Sequence, residues 1–345
     1  MKVLRTAVVG LGRIGWQFHA PQVAAREGFA FVVAVDPLEE RLQEAVERYA
    51  VRGYSTYEEM LAEEELDLVV IASPTPYHAD QAIAAFERGC DVFCDKPMAP
   101  TLAEADRMID AMYVFGRKLM IYQPHRARAD TVALQAILAQ GWIGPVYMIK
   151  ASRTGYSRRN DWQAFRQYGG GMLNNYGAHH IDLLLHLSGS RAERVCCALR
   201  TVATLGDAED VVKAVIETES GVILDLDINI AAAHSMRPWQ VLGKRGSIVL
   251  DENEVAWRVR FYREEALGQG VVHDELAAPD RQYGNVDETI PWEERTVPVA
   301  EVEAVDYYAQ CYRYYALDEA PYVPVEETRE VMRVLDLCRQ SAGAE

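Results

Sequence analysis

The sequence predicts an α/β protein in two parts. A parallel sheet covered by helices on both faces comes first, then an α+β part with a mostly antiparallel sheet. Three observations carry this expectation. The chain has 345 residues, enough for two cores at roughly 100–200 residues per domain. Residues 1–122 alternate short β-branched runs with helical patterns, the rhythm of strand–helix–strand units. From residue 195 strands succeed one another through tight polar turns such as Thr218-Glu219-Ser220-Gly221 and Gly243-Lys244-Arg245-Gly246, which indicates antiparallel pairing.

Taken in order, strands are expected at 4–9, 29–35, 67–72, 91–94 and 118–122. Helices lie between them near 13–26, 38–50, 56–64, 76–88 and 101–115. Leu68-Val69-Val70-Ile71-Ala72 is apolar without interruption, as a strand covered on both faces must be. These elements make a first domain of residues 1–122. In the second, residues 123–345, a helix at 130–140 ends at Gly141 and a strand runs near 146–153. The glycines at 169–171 open a helix reaching about Leu187. Strands follow at 195–201, 210–218, 221–231, 238–243 and 246–250. Residues 263–297 are polar and yield no element; helices at about 300–317 and 325–342 close the chain. There is no internal repeat and no low-complexity segment.

Lys+Arg 35 against Asp+Glu 52 leaves a net charge of −17. That balance excludes duplex nucleic acid and anionic membrane as main partners, since both need a basic footprint. No window approaches 18 uninterrupted apolar residues, so no membrane span is expected. The basic opening Met1-Lys2-Val3-Leu4-Arg5 leads into an apolar run too short for a signal segment, and it reads as a strand. Cysteines 90, 94, 196, 197, 311 and 338 form no CxxC pair, so free thiols in a reducing cytoplasm are expected. The eight histidines lack HExxH or a similar cluster, so no metal is expected.

Gly10-Leu11-Gly12-Arg13-Ile14-Gly15 is a G-x-G-x-x-G between a strand and a helix, and a second strand ends at Asp36. That context is a dinucleotide fingerprint. Gly10 permits the tight turn, Gly12 admits the pyrophosphate, and Gly15 allows close helix–strand packing. The helix N-terminus offers free N–H groups to phosphate. Asp36 can accept from an adenosine ribose diol and would repel a 2′-phosphate, so NAD is favoured over NADP. Lys96 in Cys94-Asp95-Lys96-Pro97 falls at the carboxyl end of a parallel strand, where open α/β sheets bind ligands. Its ammonium can stabilise an alkoxide that develops during hydride loss. In Gly169-Gly170-Gly171-Met172-Leu173-Asn174-Asn175-Tyr176-Gly177-Ala178-His179-His180-Ile181-Asp182, a helix would put Asn175, His179 and Asp182 on one face. His179 suits proton transfer near neutral pH; His180 points about 100° away and reads as structural.

These motifs, in this order and over nearly the whole chain, resemble the Gfo/Idh/MocA oxidoreductase family. Ser73-Pro74-Thr75-Pro76-Tyr77-His78 looks like its loop after the fourth strand. Asp95-Lys96-Pro97 looks like its E-K-P motif, with Leu102-Ala103-Glu104-Ala105 like the stretch beyond it. The glycine-rich helix resembles its G-G-G-x-L-x-D-x-G-x-H-x-x-D signature. The resemblance implies a Rossmann domain, then an α+β domain whose open sheet forms a homodimer or homotetramer interface. It implies NAD(P)-linked oxidation or reduction of a sugar or polyol, with Lys96 and His179 catalytic. Ser73, Pro74, Thr75, His78, Asp95 and Lys96 join Gly10, Gly12, Arg13, Ile14, Gly15 and Asp36 as cofactor-binding residues. Two positions depart: Asp95 replaces a glutamate, and Asn175 replaces an aspartate. An amide cannot take a proton, but Asn175 can still orient a hydroxyl.

Tyr122-Gln123-Pro124-His125-Arg126 resembles the family's N-R-R segment, so Tyr122 and His125 are substrate-binding candidates. The polar loop Tyr156-Ser157-Arg158-Arg159-Asn160-Asp161-Trp162 adds Arg158 and Trp162, whose mixture suits a sugar. Tyr307, Tyr308, Tyr312 and Tyr315 follow helical spacing and read as packing or an oligomer contact. The same parts could serve a lyase or epimerase that uses NAD transiently, or a cofactor-binding sensor without turnover. Asn175 is what keeps both alternatives open.

Overall fold

The structure, a computed structural model, describes residues 2–251, 253, 255–268 and 289–343. Much of the 263–297 stretch therefore lies outside the described residues. The first sheet holds β1 (Leu4–Val9), β2 (Phe29–Val35), β3 (Arg52–Tyr54), β4 (Leu68–Ile71), β5 (Asp91–Cys94) and β6 (Leu119–Ile121). Its order is β3-β2-β1-β4-β5-β6 and its pairings are all parallel. The order reverses between β1 and β4, which opens a ligand crevice at their carboxyl ends. The five expected strands are present. β3 is an addition: three largely exposed residues on the sheet edge, too short for a periodic signal.

The helices are α1 (Ala20–Ala24), α2 (Glu39–Tyr49), α3 (Tyr57–Glu63), α4 (His78–Glu87), α5 (Leu102–Val114), α6 (Ala129–Ala139), α7 (Ala178–Ser188), α8 (Tyr307–Leu317) and α9 (Val325–Ser341). Alternate sheet residues feed two cores. Ala7, Val9, Val69 and Ile71 face α3, α4 and α5, while Val8, Val70, Phe93 and Met120 face α2 and α8. This is why the strands are apolar on both faces. Thr56 and Thr101 start α3 and α5 by accepting the Glu59 and Glu104 amides at 3.4 and 3.3 Å, so these helices begin where the sequence has a cap. The expected helix at 300–317 begins only at Tyr307, because Asp306 accepts the Ala309 amide at 3.1 Å and caps it there. Tyr308 and Tyr315 are buried; their hydroxyls meet His19 Nδ1 at 2.7 Å and the Val92 carbonyl at 2.5 Å. The late tyrosines thus pack beneath the first sheet.

The second sheet has eight strands: β7 (Val146–Thr154), β8 (Ala192–Arg200), β9 (Val211–Thr218), β10 (Ile223–Asn229), β11 (Trp239–Gly243), β12 (Gly246–Leu250), β13 (Ala256–Phe261) and β14 (Glu293–Pro298). Its order is β14-β13-β12-β11-β7-β10-β9-β8, antiparallel except where β7 and β10 pair in parallel. Ile149, Ala151, Leu226 and Val241 point to the face that α7 and α9 cover. β13 and β14 extend the expected sheet; in β13 Trp257, Val259 and Phe261 are buried while Arg258 and Arg260 are exposed. No described helix is long and apolar enough to cross a membrane.

One buried ion pair ties the connection between the sheets to α7. Arg126 is 2 % exposed and donates to both Asp182 oxygens, at 2.7 and 2.6 Å, and also to Glu327. Asp182 is thus spent on structure, and the face it shares with His179 ends in an ion pair. Truncating one partner leaves a buried charge uncompensated, so Asp182→Ala should destabilise the protein by about 3–5 kcal/mol. The midpoint of urea unfolding measures this; a loss below about 1 kcal/mol would show the pair to be dispensable.

Candidate active site

The loop after β1 is shaped by two kinds of glycine. Gly10 has φ +87°, and a Cβ there would sit 2.7 Å from the Ser73 nitrogen. A Cβ on Gly15 would fall 1.8 Å from the Gly10 carbonyl oxygen. Packing of the chain on itself therefore requires both. Gly12 is the reverse, with nothing within 4 Å of its Cβ position. A bare backbone beside the free N–H groups of a helix start fits a pyrophosphate. The exposed side chains of Arg13 and Ile14 flank it. The turn that follows, Gly15–His19, is π-helical, not α-helical as expected.

Asp36, at the end of β2, is 2 % exposed. Its carboxylate accepts the Leu11 and Leu38 amides at 2.8 and 3.0 Å, and Arg41 lies 3.3 Å away. It braces the glycine loop with oxygens that still have lone pairs to offer a ribose. Ser73 donates to Gln81 at 2.6 Å, beside exposed Pro74 and buried Thr75. His78, an expected cofactor contact, has both ring nitrogens engaged. Its ring nitrogens lie 2.9 Å from the Pro97 carbonyl and 2.8 Å from the Ser73 carbonyl, so it clamps the two loops that edge the crevice.

Lys96 follows β5. Asp95 accepts the Lys96 amide at 2.8 Å and so fixes the start of this segment. The Lys96 ammonium crosses to the second domain and donates to the Asn175 carbonyl at 2.8 Å, with the Asn175 Oδ1 at 3.4 Å. Burial pulls this lysine down to about 8, against the opposing pull of Asp95.

The helix carrying Asn175 and His179 is irregular where it matters. Gly171 has φ +103°, and a Cβ there would collide with Glu209, whose carboxylate accepts the Leu173 amide at 3.0 Å. Leu173–Gly177 is then π-helical and passes into α7. His179 and His125 stack with ring centroids 4.0 Å apart and planes 13° from parallel. His179 Nδ1 is buried with no partner, and Nε2 makes no hydrogen bond among the described residues. Desolvation, and then the Lys96 charge, hold His179 well below its usual range, so the ring is neutral at pH 7. The Lys96 effect places the two groups in one electrostatic neighbourhood. His125 is lowered to about 3, first by burial and then by its histidine and cationic neighbours. His180 is held by the Tyr176 carbonyl at 2.9 Å and stacks on Trp239, as its structural reading requires.

Other candidates divide. Tyr122, an expected substrate contact, has its ring engaged in packing. It is 7 % exposed and stacked on Phe18 at 4.9 Å within the aromatic core. Arg158 is exposed, and it is Arg159 that acts on Lys96; Arg159 is paired with Asp161 at 2.7 Å. Trp162 is 43 % exposed on a turn that Asp161 caps. Arg153 was missed. The alternation of β7 puts it on the face of Ile149 and Ala151, and its guanidinium lies 5.1 Å from the Tyr176 ring centre.

Residues 4–123 match the model of an oxidoreductase family with an NAD-binding Rossmann fold, and residues 131–249 match the GFO/IDH/MocA C-terminal domain. The chain is 28% identical over 190 residues to D-glucoside 3-dehydrogenase of Escherichia coli strain K12, 54% of either chain. It thus spans about half the length of that relative. It is 28% identical over 234 residues to an inositol 2-dehydrogenase of Streptomyces avermitilis, 66% of either chain. The fold is similar to an NAD-binding protein from Listeria innocua, with a TM-score of 0.84 at 22% identity over 99% of this chain and 98% of that one. It is also similar to the WlbA dehydrogenase from Bordetella pertussis in complex with NADH and UDP-GlcNAcA, TM-score 0.77 at 22% identity over 99% and 97% of the two chains.

The glycines give a paired test. Gly12→Ala should leave thermal stability unchanged and weaken NADH binding by about tenfold or more, seen by fluorescence titration. Gly15→Ala should lower the melting temperature as well. Equal NADH affinity in Gly12→Ala and wild type would remove the loop from the cofactor site.

Proposed function

The chain belongs to the Gfo/Idh/MocA oxidoreductase family, and we propose that within it the protein oxidises a CH–OH carbon of a sugar or polyol using NAD. The observation that carries this reading is the meeting of the Lys96 ammonium and the π turn that leads to His179. The dehydrogenases of D-glucoside and inositol among its relatives support the substrate class.

Bound nicotinamide supplies the hydride acceptor. The residues of the chain do the rest. His179, neutral at pH 7, takes the hydroxyl proton at Nε2. Lys96 donates to the same oxygen and stabilises the negative charge that develops as the carbon loses hydride. Both sit in a partly dry cleft, where a fixed ammonium acts more strongly than in water. Asn175 orients the hydroxyl through its amide and holds Lys96 through its carbonyl. Asp36 favours NAD over NADP in this reading. A 2′-phosphate would face a buried carboxylate, and the nearby Arg41 is already paired with that carboxylate.

A panel of sugars and polyols with NAD should give one NADH per substrate oxidised. Lys96→Met should lower kcat by about 100- to 1000-fold; full turnover in that variant would remove the proposed chemistry. Because the ammonium must be present, kcat/KM should be level below about 8 and fall as pH rises through it. Lys96→Arg should keep its residual activity above that pH. Asn175 favours one alternative, a transient redox cycle with a changed proton path; product without net NADH would identify it.

A further inference from the structure

A run of ring contacts leads away from the proposed reacting position. From His179 it passes to His125 at 4.0 Å, to His180 at 6.1 Å and to Tyr176 at 6.3 Å, and ends under the Arg153 guanidinium at 5.1 Å. Arg153 is exposed, and among the described residues its side chain has neither a hydrogen bond nor an ion pair. Three other arginines of this region behave differently. Arg126, Arg128 and Arg159 are each paired with a carboxylate, as a chain with 52 acidic residues against 35 basic ones readily allows. Along the run from Lys96 to Arg153 every ionisable side chain is a base or a tyrosine, and the position where the family signature has aspartate holds Asn175. Contact with an aromatic face occupies the charge of a guanidinium while leaving its N–H donors without an acceptor. With the histidines of the run held neutral by burial, its charge lies at its two ends, on Lys96 and on Arg153, and the guanidinium presents an unused fork.

We propose that the substrate is an anionic sugar derivative, bearing a carboxylate or phosphate away from the reacting carbon, and that Arg153 binds this group. The proposal rests on the sugar dehydrogenase reading above and narrows it. A carboxylate or a phosphate would accept two N–H donors from the guanidinium, and Asn175 removes the negative charge that would repel it. Arg153 acts on binding, not on the chemical step.

The test compares three matched sets of gluco, galacto and manno configuration, each with a neutral sugar, its uronate and its 6-phosphate. Binding to the NADH-loaded protein is measured by calorimetry, and turnover with NAD in parallel. Wild type should bind the anionic members about ten- to a hundredfold more tightly than the neutral ones. The uronate and phosphate arms show which oxyanion is preferred. Arg153→Gln should erase that preference through Kd and KM, with kcat changed far less and the melting temperature unaltered; Arg153→Lys should restore part of it. Neutral sugars bound and oxidised as well as anionic ones, or a preference that survives Arg153→Gln, would overturn the proposal and leave the dehydrogenase reading standing. Failure of every member to bind or react would overturn both.

Discussion

The ammonium of Lys96 reaches the Asn175 carbonyl at 2.8 Å across a sequence separation of 79 residues. It joins the carboxyl edge of one sheet to the helix laid over the other. A buried ammonium is tolerated only with acceptors around it, and here the acceptor is backbone. The π turn supplies it: two consecutive carbonyls, Asn175 and Tyr176, are taken by the side chains of Lys96 and His180. Widened turns of this kind are frequent at functional sites. The glycine at 171 and the Glu209 that caps the turn exist to let it form there.

The same closeness governs protonation. Lys96 disfavours a proton on His179, and burial disfavours charge on both, so the imidazole is kept neutral while the amine stays charged below about 8. In the proposed reaction two basic groups pushed apart in this way take separate tasks: one receives a proton and the other holds one. With Asn175 in place of a carboxylate, nothing beside His179 Nδ1 favours the imidazolium.

The amino-acid sequence made much of this readable. The parallel sheet followed from uninterrupted apolar runs, and Gly10, Gly12 and Gly15 have the three environments their spacing implies. Lys96 and His179 were singled out from position and residue type, and the folded chain carries the Lys96 ammonium to Asn175, four residues before His179. What escaped has physical reasons. β3 is three exposed residues long, below the length at which alternation is detectable. The π turn leaves no mark in a pattern read at 3.6 residues per turn. His78 and Tyr122 look like ligand contacts in sequence, but only the packing shows their polar atoms and rings spent on loops and core. Arg153 needed the register of β7 to be placed beside Tyr176.

Whether Lys96 and His179 act on one oxygen is tested most directly by a double-mutant cycle on NADH formation. Lys96→Met, His179→Ala and the double variant would be compared under single-turnover conditions. Groups that serve the same oxygen lose their effect together, so the double variant should be within about tenfold of the slower single variant. If the two losses instead multiply in full, the groups work independently and do not share a reacting atom.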